Sequence, residues 1–325
     1  MQIMGDDMTK MRVLVLGAGA VGGYFGGRLA QAGCDVTFMV RAGRQKMIER
    51  DGLEIESSAG NANLQIKTVL SDDAKPDYDY ILMTPKAYDL EDSLNSIKPA
   101  LSDSTIIIPV LNGMAHIDRL NELFGRDRVL GGVVVIQAVL LPSGVIKHFN
   151  KDAVIMIGEQ DHLQPKTAKP FIDLFQNAIG VRASAVDDIK HRMWAKWVRL
   201  SALAGMTCLM RANVGEINRA PGGRDAIKRF LAANLQIASY YGYEISDDNA
   251  CGIGDFLFGE NSTTTASMLR DIEYGGRIES EQILGDLLRR AKIANVDHPI
   301  LELAYIHVKA YEERMKCGRD QQIRT

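Results

Sequence analysis

Paired cysteines, a basic excess and a long apolar run are all missing from this 325-residue sequence. The four cysteines lie far apart and the six histidines are scattered, so we expect neither a disulfide framework nor a metal site. The net charge of −3 argues against a nucleic-acid-binding protein. The longest apolar stretch, residues 131–141, is too short to cross a bilayer and predicts no membrane anchor.

The first ten residues also lack an apolar block. They contain two acidic residues, a pattern that does not fit a signal peptide and predicts a disordered leader over residues 1–10. Because widely spaced cysteines are typical of a reducing compartment, we expect a cytoplasmic protein.

Short apolar runs alternate with helical patterns along the first half of the chain. Strands are predicted at residues 11–16, 35–40, 78–83 and 105–110, and helices at 21–31 and 90–97. This alternation is typical of a parallel sheet with helices on both faces, and it predicts a Rossmann-type, doubly wound α/β fold. Three further strands, at residues 129–138, 144–149 and 153–158, are expected to form an antiparallel extension of that sheet.

Strand patterns nearly vanish in the second half. Helices are predicted at residues 187–203, 224–241, 267–274, 279–294 and 300–315. We therefore expect a first domain over residues 11–185 and an all-helical C-terminal domain over residues 186–325. One helical face is apolar and fits either the core or a homodimer interface; it consists of Ile283, Leu284, Leu287 and Leu288.

A glycine-rich turn follows the first strand and opens the first helix. Its residues are Gly17, Ala18, Gly19, Ala20, Val21 and Gly22. Between a strand and a helix, G-x-G-x-x-G is typical of a dinucleotide site, since Gly19 lets the backbone approach a pyrophosphate and the helix N-terminus offers free N–H groups. A glycine turn with only a structural role is the alternative.

The end of the second strand bears on which dinucleotide binds. Arg41 and Arg44 stand where an NAD or FAD site usually carries an acidic residue. A guanidinium binds phosphate with forked donors, which favours the 2′-phosphate of NADP(H) over NAD or a flavin. Solvated surface arginines are the alternative.

Three other polar residues are candidates for the chemistry. Lys86 and Asn112 follow predicted strands at the carboxyl edge of the sheet, where ligands bind; Lys86 alternatively is a loop lysine and Asn112 a helix cap. Lys196 lies beside an apolar helix stripe. Its ammonium either reaches water or stays desolvated with a lowered pKa, and the desolvated form can donate a proton near neutral pH.

Several of these residues lie in motifs that resemble the ketopantoate reductase (2-dehydropantoate 2-reductase) family over nearly the whole chain. The motifs are GAGAVGG from Gly17, Arg41, PKAYDL from Pro85, LNGM from Leu111, WAKW around Lys196, and SMLRDI from Ser267 followed by Glu279. The resemblance implies NADPH-dependent reduction of 2-dehydropantoate to pantoate, a step of pantothenate and coenzyme A biosynthesis.

The resemblance also implies roles for individual residues. Lys196 matches the general acid and Glu279 the acidic residue that supports the active site. Ser267 matches the residue that binds the carboxylate of a small anionic oxo acid, and Lys86 and Asn112 match residues lining the nicotinamide and substrate pocket. Arg41 matches the contact to the 2′-phosphate.

The sequence departs from this pattern after Lys196. Many family members carry asparagines four and eight residues later, where this chain has Leu200 and Ala204. Losing two amides leaves a polyhydroxylated acid with unpaired polar groups, which favours a different branched oxo or hydroxy acid. Nearby polar residues that could substitute are Ser201, Thr207 and Asn213. An NADP(H)-binding sensor without catalysis is a further alternative, but it has no need of Lys196.

Overall fold

A computed structural model describes residues 11–161, 165–245 and 253–318. The predicted leader, residues 1–10, lies outside these ranges. The chain divides into two compact units: the first extends to Leu111 and resumes over His116–Lys190, and the second takes Asn112–Ala115 and continues from His191. The short segment Asn112–Ala115 thus belongs to the second, helical unit, although the residues on either side of it in the sequence belong to the first.

The first unit contains strands and helices that alternate in its early part. The strands are β1 (Arg12–Leu16), β2 (Asp35–Met39), β3 (Leu53–Ser57), β4 (Ala62–Leu64), β5 (Lys67–Val69), β6 (Tyr80–Met83), β7 (Ile106–Pro109), β8 (Gly131–Val135), β9 (Ala138–Leu140), β10 (Ile146–His148), β11 (Ala153–Gly158) and β12 (Val181–Ala185). The helices are α1 (Ala20–Gln31), α2 (Ala42–Asp51), α3 (Leu90–Ile97), α4 (Ala115–Phe124) and α5 (Ala168–Asp173).

A five-stranded parallel sheet, in the order β5-β2-β1-β6-β7, forms the centre of this unit. In β1, Val13 and Val15 pack into one apolar cluster and Leu14 and Leu16 into another, so both faces of the strand are covered. This explains why residues 13–16 of β1 form a continuous apolar run. The doubly wound α/β fold predicted from the sequence is confirmed.

The predicted antiparallel extension of this sheet is wrong. Two separate sheets form instead, in the orders β4-β3-β10-β9 and β12-β11-β8, with antiparallel pairing of β9 to β10 and of β8 to β11. For the sheet that contains β3 and β10, the reason lies in α1. A side chain at Gly23 would overlap Ile146, and one at Gly27 would lie 2.8 Å from Ile55, so the small residues of α1 let the sheet containing β3 and β10 pack closely against it.

The second unit is helical. Its helices are α6 (Ile189–Met210), α7 (Val214–Arg219), α8 (Gly223–Tyr240), α9 (Ile253–Phe258), α10 (Ser267–Glu273), a π-helix (Glu281–Gly285), α11 (Asp286–Ile293) and α12 (Pro299–Lys316). The helix predicted over residues 279–294 is therefore divided by a π-turn. Ile283, Leu284 and Leu287 are buried within the chain, so this apolar face fills the core of the unit. None of the helices in the described ranges has the length and apolar character needed to cross a membrane.

Candidate functional site

The glycine turn lies at the carboxyl end of β1. Gly17 has φ +93°, a conformation that favours glycine. The Thr84 hydroxyl, directly after the neighbouring strand β6, donates to the Leu16 carbonyl over 2.9 Å and anchors the turn. A side chain at Gly22 would overlap both the Gly17 carbonyl oxygen and Thr84 Oγ1. The turn therefore requires glycine at two of its positions for steric reasons.

The outer side of the same turn is open. A Cβ at Gly19 would have no protein atom within 4 Å. Gly19 is the N-cap of α1 and provides no side-chain cap, so the N-terminal backbone N–H groups of α1 face an uncrowded surface. These residues, Gly17 to Gly22, fit a dinucleotide diphosphate, because backbone donors and free volume occur at the same place.

The two arginines after β2 differ in their surroundings. Arg44 Nε donates to the Ala18 carbonyl over 3.2 Å, and its Nη2 is buried without a hydrogen-bond partner among the described residues. Burial lowers the Arg44 pKa below its usual value. Arg41 has an 82% exposed side chain and pairs with Asp89 over 3.3 Å. Arg44 thus has a guanidinium N–H donor available beside the glycine turn. Its hydrogen bond to Ala18 was not predicted from the sequence.

Lys86 belongs to the same unit as the glycine turn. It is exposed and caps a short 3₁₀ turn, Ala87–Asp89, which follows β6. The residue of this loop that anchors the glycine turn is Thr84. Its position directly after a strand next to β1 was the signal that could have identified it.

Three candidate residues lie in the second unit. The Asn112 amide donates to Glu279 Oε2 over 3.3 Å, and Glu279 is buried. Burial lowers the pKa of Lys196 to about 8, the negative charge of Glu279 acts to raise it, and the positive charge of Arg199 acts to lower it. By surface exposure Lys196 is partly buried, so its role as a proton donor stays a prediction. A lysine with such a pKa can be protonated and still release its proton near neutral pH.

Ser267 also lies in the second unit. It is the first residue of α10 and is partly exposed. The N-cap residue before it, Ala266, has no side chain that could cap the helix. The first backbone N–H groups of α10 therefore have no side-chain acceptor at the N-cap.

The polar residues that could replace the missing asparagines have other partners. The Ser201 hydroxyl donates to the Trp197 carbonyl and the Thr207 hydroxyl to the Leu203 carbonyl, each over 2.7 Å, and both side chains are fully buried. Asn213 caps α7 in a capping box. The hypothesis that these three residues take over the role of the asparagines therefore has no support in their hydrogen bonding.

Leu200 lies one helical turn after Lys196 and is partly exposed, whereas Ala204, a further turn on, is fully buried. The helix face that continues from Lys196 is consequently apolar.

Comparison with known families gives two matches. A family model described as "Ketopantoate reductase PanE/ApbA" matches residues 13–162, and one described as "Ketopantoate reductase PanE/ApbA C terminal" matches residues 188–312. The two matches together cover most of the chain.

Individual proteins are similar over nearly their full length. An uncharacterized oxidoreductase, YkpB, of Bacillus subtilis is 31% identical over 306 residues, covering 93% of this chain and 99% of the relative. A 2-dehydropantoate 2-reductase of Pyrococcus horikoshii is 30% identical over 308 residues, covering 93% and 98%.

Solved structures share the fold. A D-mandelate dehydrogenase with NADH and anilino(oxo)acetate has a TM-score of 0.84 at 21% identity, covering 94% of this chain and 99% of that one. A PanE/ApbA family ketopantoate reductase from Ralstonia eutropha has a TM-score of 0.82 at 23% identity, covering 94% and 100%.

These findings agree with the chemistry of the residues. The nicotinamide dinucleotide predicted from the glycine turn is confirmed as the cofactor of this group of oxidoreductases. The order of motifs from Gly17 to Glu279, the two family models and the full-length relatives all agree: the chain belongs to the ketopantoate reductase family.

Proposed function

We propose that this chain is an NADPH-dependent reductase of 2-oxo acids in which Lys196 is the general acid. The observation that carries the proposal is the hydrogen bond from Asn112 to the buried carboxylate of Glu279, together with the burial that lowers the pKa of Lys196 to about 8. When bound, the cofactor supplies the hydride that reduces the keto carbon. Lys196 then stabilises and protonates the oxygen on which negative charge develops.

Other residues receive supporting roles in this proposal. Residues 11–185 form the cofactor domain and residues 186–325 the catalytic domain. Glu279 keeps Lys196 charged and orients Asn112 through the hydrogen bond between them. Ser267 binds the substrate carboxylate. Lys86 keeps the role that the resemblance implies, as a residue of the nicotinamide and substrate pocket. The homodimer remains a prediction.

The pH dependence of the reaction tests the general acid. Because only protonated Lys196 can donate, we expect kcat/KM to be constant below about pH 8 and to fall about tenfold per pH unit above it. Glu279 raises this pKa, so Glu279→Gln should move the fall to lower pH. Arg199 lowers the pKa, so Arg199→Gln should move the fall to higher pH.

These two variants control for one another, since general damage to the site would not produce shifts of opposite sign. Rates are measured with NADPH and a 2-oxo acid from pH 6 to 10. A fall in kcat/KM that stays at the same pH in both variants would contradict the role of Lys196.

The choice of coenzyme depends in this proposal on Arg44 more than on Arg41. Arg44 offers a buried guanidinium nitrogen with no partner in the described residues, whereas Arg41 is largely solvated. We expect Arg44→Gln to raise the Kd for NADPH roughly tenfold or more and to change the Kd for NADH little, because one charge-assisted hydrogen bond is lost.

A matched control lies in the same helix. Arg50 is exposed and pairs with Asp51, so Arg50→Gln should leave both dissociation constants unchanged. Both are measured by fluorescence titration. Equal losses for NADPH and NADH in Arg44→Gln would show that Arg44 supports the turn and does not read the 2′-phosphate.

The apolar helix face that continues from Lys196 favours an oxo acid with an apolar branch over 2-dehydropantoate. Leu200 supplies no amide donor, and the hydroxyls of Ser201 and Thr207 already bond to backbone carbonyls. We expect a higher kcat/KM for 3-methyl-2-oxobutanoate than for its hydroxymethyl derivative 2-dehydropantoate. Leu200→Asn should move this preference roughly tenfold towards the hydroxylated acid.

The same comparison of substrates also separates the other candidate functions. A preference for 2-dehydropantoate that Leu200→Asn does not change would contradict the apolar assignment. Tight NADPH binding without oxidation by any oxo acid would favour the sensor.

A further inference from the structure

The segment that carries Glu279 has an unusual backbone. The π-helix Glu281–Gly285 begins two residues after Glu279 and is followed directly by α11. A π-turn accommodates one extra residue in a helix and shifts the register of the residues around it. Without this turn, the helical pattern of residues 279–294 would present a different set of side chains beside α6.

An indole hydrogen bond stabilises the π-turn from one side. Trp197 Nε1 donates to the Ile283 carbonyl over 3.0 Å, and both residues are buried. Trp197 directly follows Lys196 in α6. The helix that carries the lysine therefore also binds the backbone of the turn next to Glu279.

The Asn112–Gly113 turn packs against the same segment. Gly113 has φ +80°, and a Cβ there would overlap the Gln282 carbonyl oxygen. Asn112 meanwhile donates to the Glu279 carboxylate. Glu279, Gln282 and Ile283 are thus each contacted by a different residue from outside the segment.

Exposed and partly exposed charges also contact the turn. Glu281 pairs with Arg289 over 3.2 Å and with Lys309 over 3.0 Å. Solvent screens such pairs strongly, so the buried indole is expected to contribute more to the position of the turn.

We propose that Trp197 is a positioning residue: its indole holds the π-turn so that the Glu279 carboxylate stays close to the Lys196 ammonium. The proposal rests on the function proposed above only where it concerns turnover. Its structural part, the distance between carboxylate and ammonium, has a readout of its own, because that distance determines how strongly Glu279 raises the Lys196 pKa.

The test compares two tryptophans of α6. Trp197→Phe keeps an aromatic ring and removes the N–H donor. Trp194→Phe is the control for loosening of the aromatic cluster, because the equally buried Trp194 ring packs on Trp197 and stacks on Tyr241 and Tyr243. The full chain is labelled with ¹³C at the lysine ε-carbon, and the pKa of Lys196 is measured by NMR without cofactor. Thermal unfolding is followed in parallel.

We expect Trp197→Phe to lower the Lys196 pKa in the same direction as Glu279→Gln but by less, and Trp194→Phe to leave it unchanged. With NADPH and a 2-oxo acid, kcat should fall about fivefold to tenfold in Trp197→Phe, with the KM for NADPH unchanged. A Lys196 pKa that is equal in wild type and Trp197→Phe overturns the proposal. If wild-type protein reduces no 2-oxo acid, the proposed function fails, and the NMR titration still decides the role of Trp197.

Discussion

Replacement of Lys196 by alanine should lower kcat for 2-oxo acid reduction by about a hundredfold or more, with little change in the Kd for NADPH. General acid catalysis typically contributes a factor of this size, and the chain offers Lys196 as a proton donor with a pKa of about 8. The loss should appear in kcat and in kcat/KM together, because the interaction is made in the transition state. Steady-state kinetics and fluorescence titration of NADPH measure the two quantities.

Two further variants sharpen this test. Lys196→Arg keeps a positive charge but has too high a pKa to donate a proton near pH 7, so it should retain part of the charge stabilisation and lose the proton transfer. Lys228→Ala removes an exposed lysine of the same unit and should have no effect. Full turnover in Lys196→Ala would rule out its assignment as the general acid.

Alanine at Gly19 and alanine at Gly22 should separate binding from folding. A methyl group at Gly19 meets no protein atom within 4 Å, so the unfolding temperature of Gly19→Ala should equal that of the wild type. It would, however, occupy the space where the backbone approaches a diphosphate, and we expect the Kd for NADPH to rise at least tenfold.

Gly22→Ala should behave differently. Its methyl group would overlap the Gly17 carbonyl and Thr84, and overpacking of this kind costs about 1–3 kcal/mol. Both the unfolding temperature and NADPH affinity should therefore fall. Gly43→Ala, at another uncrowded position on α2, is the control and should leave binding unchanged. Wild-type NADPH affinity in Gly19→Ala would mean that the cofactor does not lie against this turn.

Local patterns were sufficient to predict much of the fold. The run at Met11–Leu16 is apolar on every residue but one because β1 is buried on both faces, and the glycines after it are needed where the chain turns into α1. The long helices of the second unit followed from apolar spacing. These features depend on neighbours a few residues away, so they are visible in one sequence.

Contacts between distant segments were not predictable in this way. The strands β3 and β5 are only five and three residues long, and they pair with β10 and β2, which lie far from them in the sequence. Arg44 contacts the glycine turn through its hydrogen bond to Ala18, which lies 26 residues earlier in the sequence. Periodicity contains no information about such partners, and the family resemblance pointed to Arg41 alone.

The sequence by itself determined the main strands and helices, the glycine turn and the residue types available for chemistry, because local sterics and apolar spacing decide these. Only the tertiary structure decided that burial lowers the Lys196 pKa, that Asn112 binds Glu279 and that Ser201 and Thr207 donate their hydroxyls to backbone carbonyls. The physical reason is that burial and hydrogen-bond partners are set by segments far apart in the chain. The pKa and hydrogen-bonding capacity of a side chain therefore become defined only when those segments pack together.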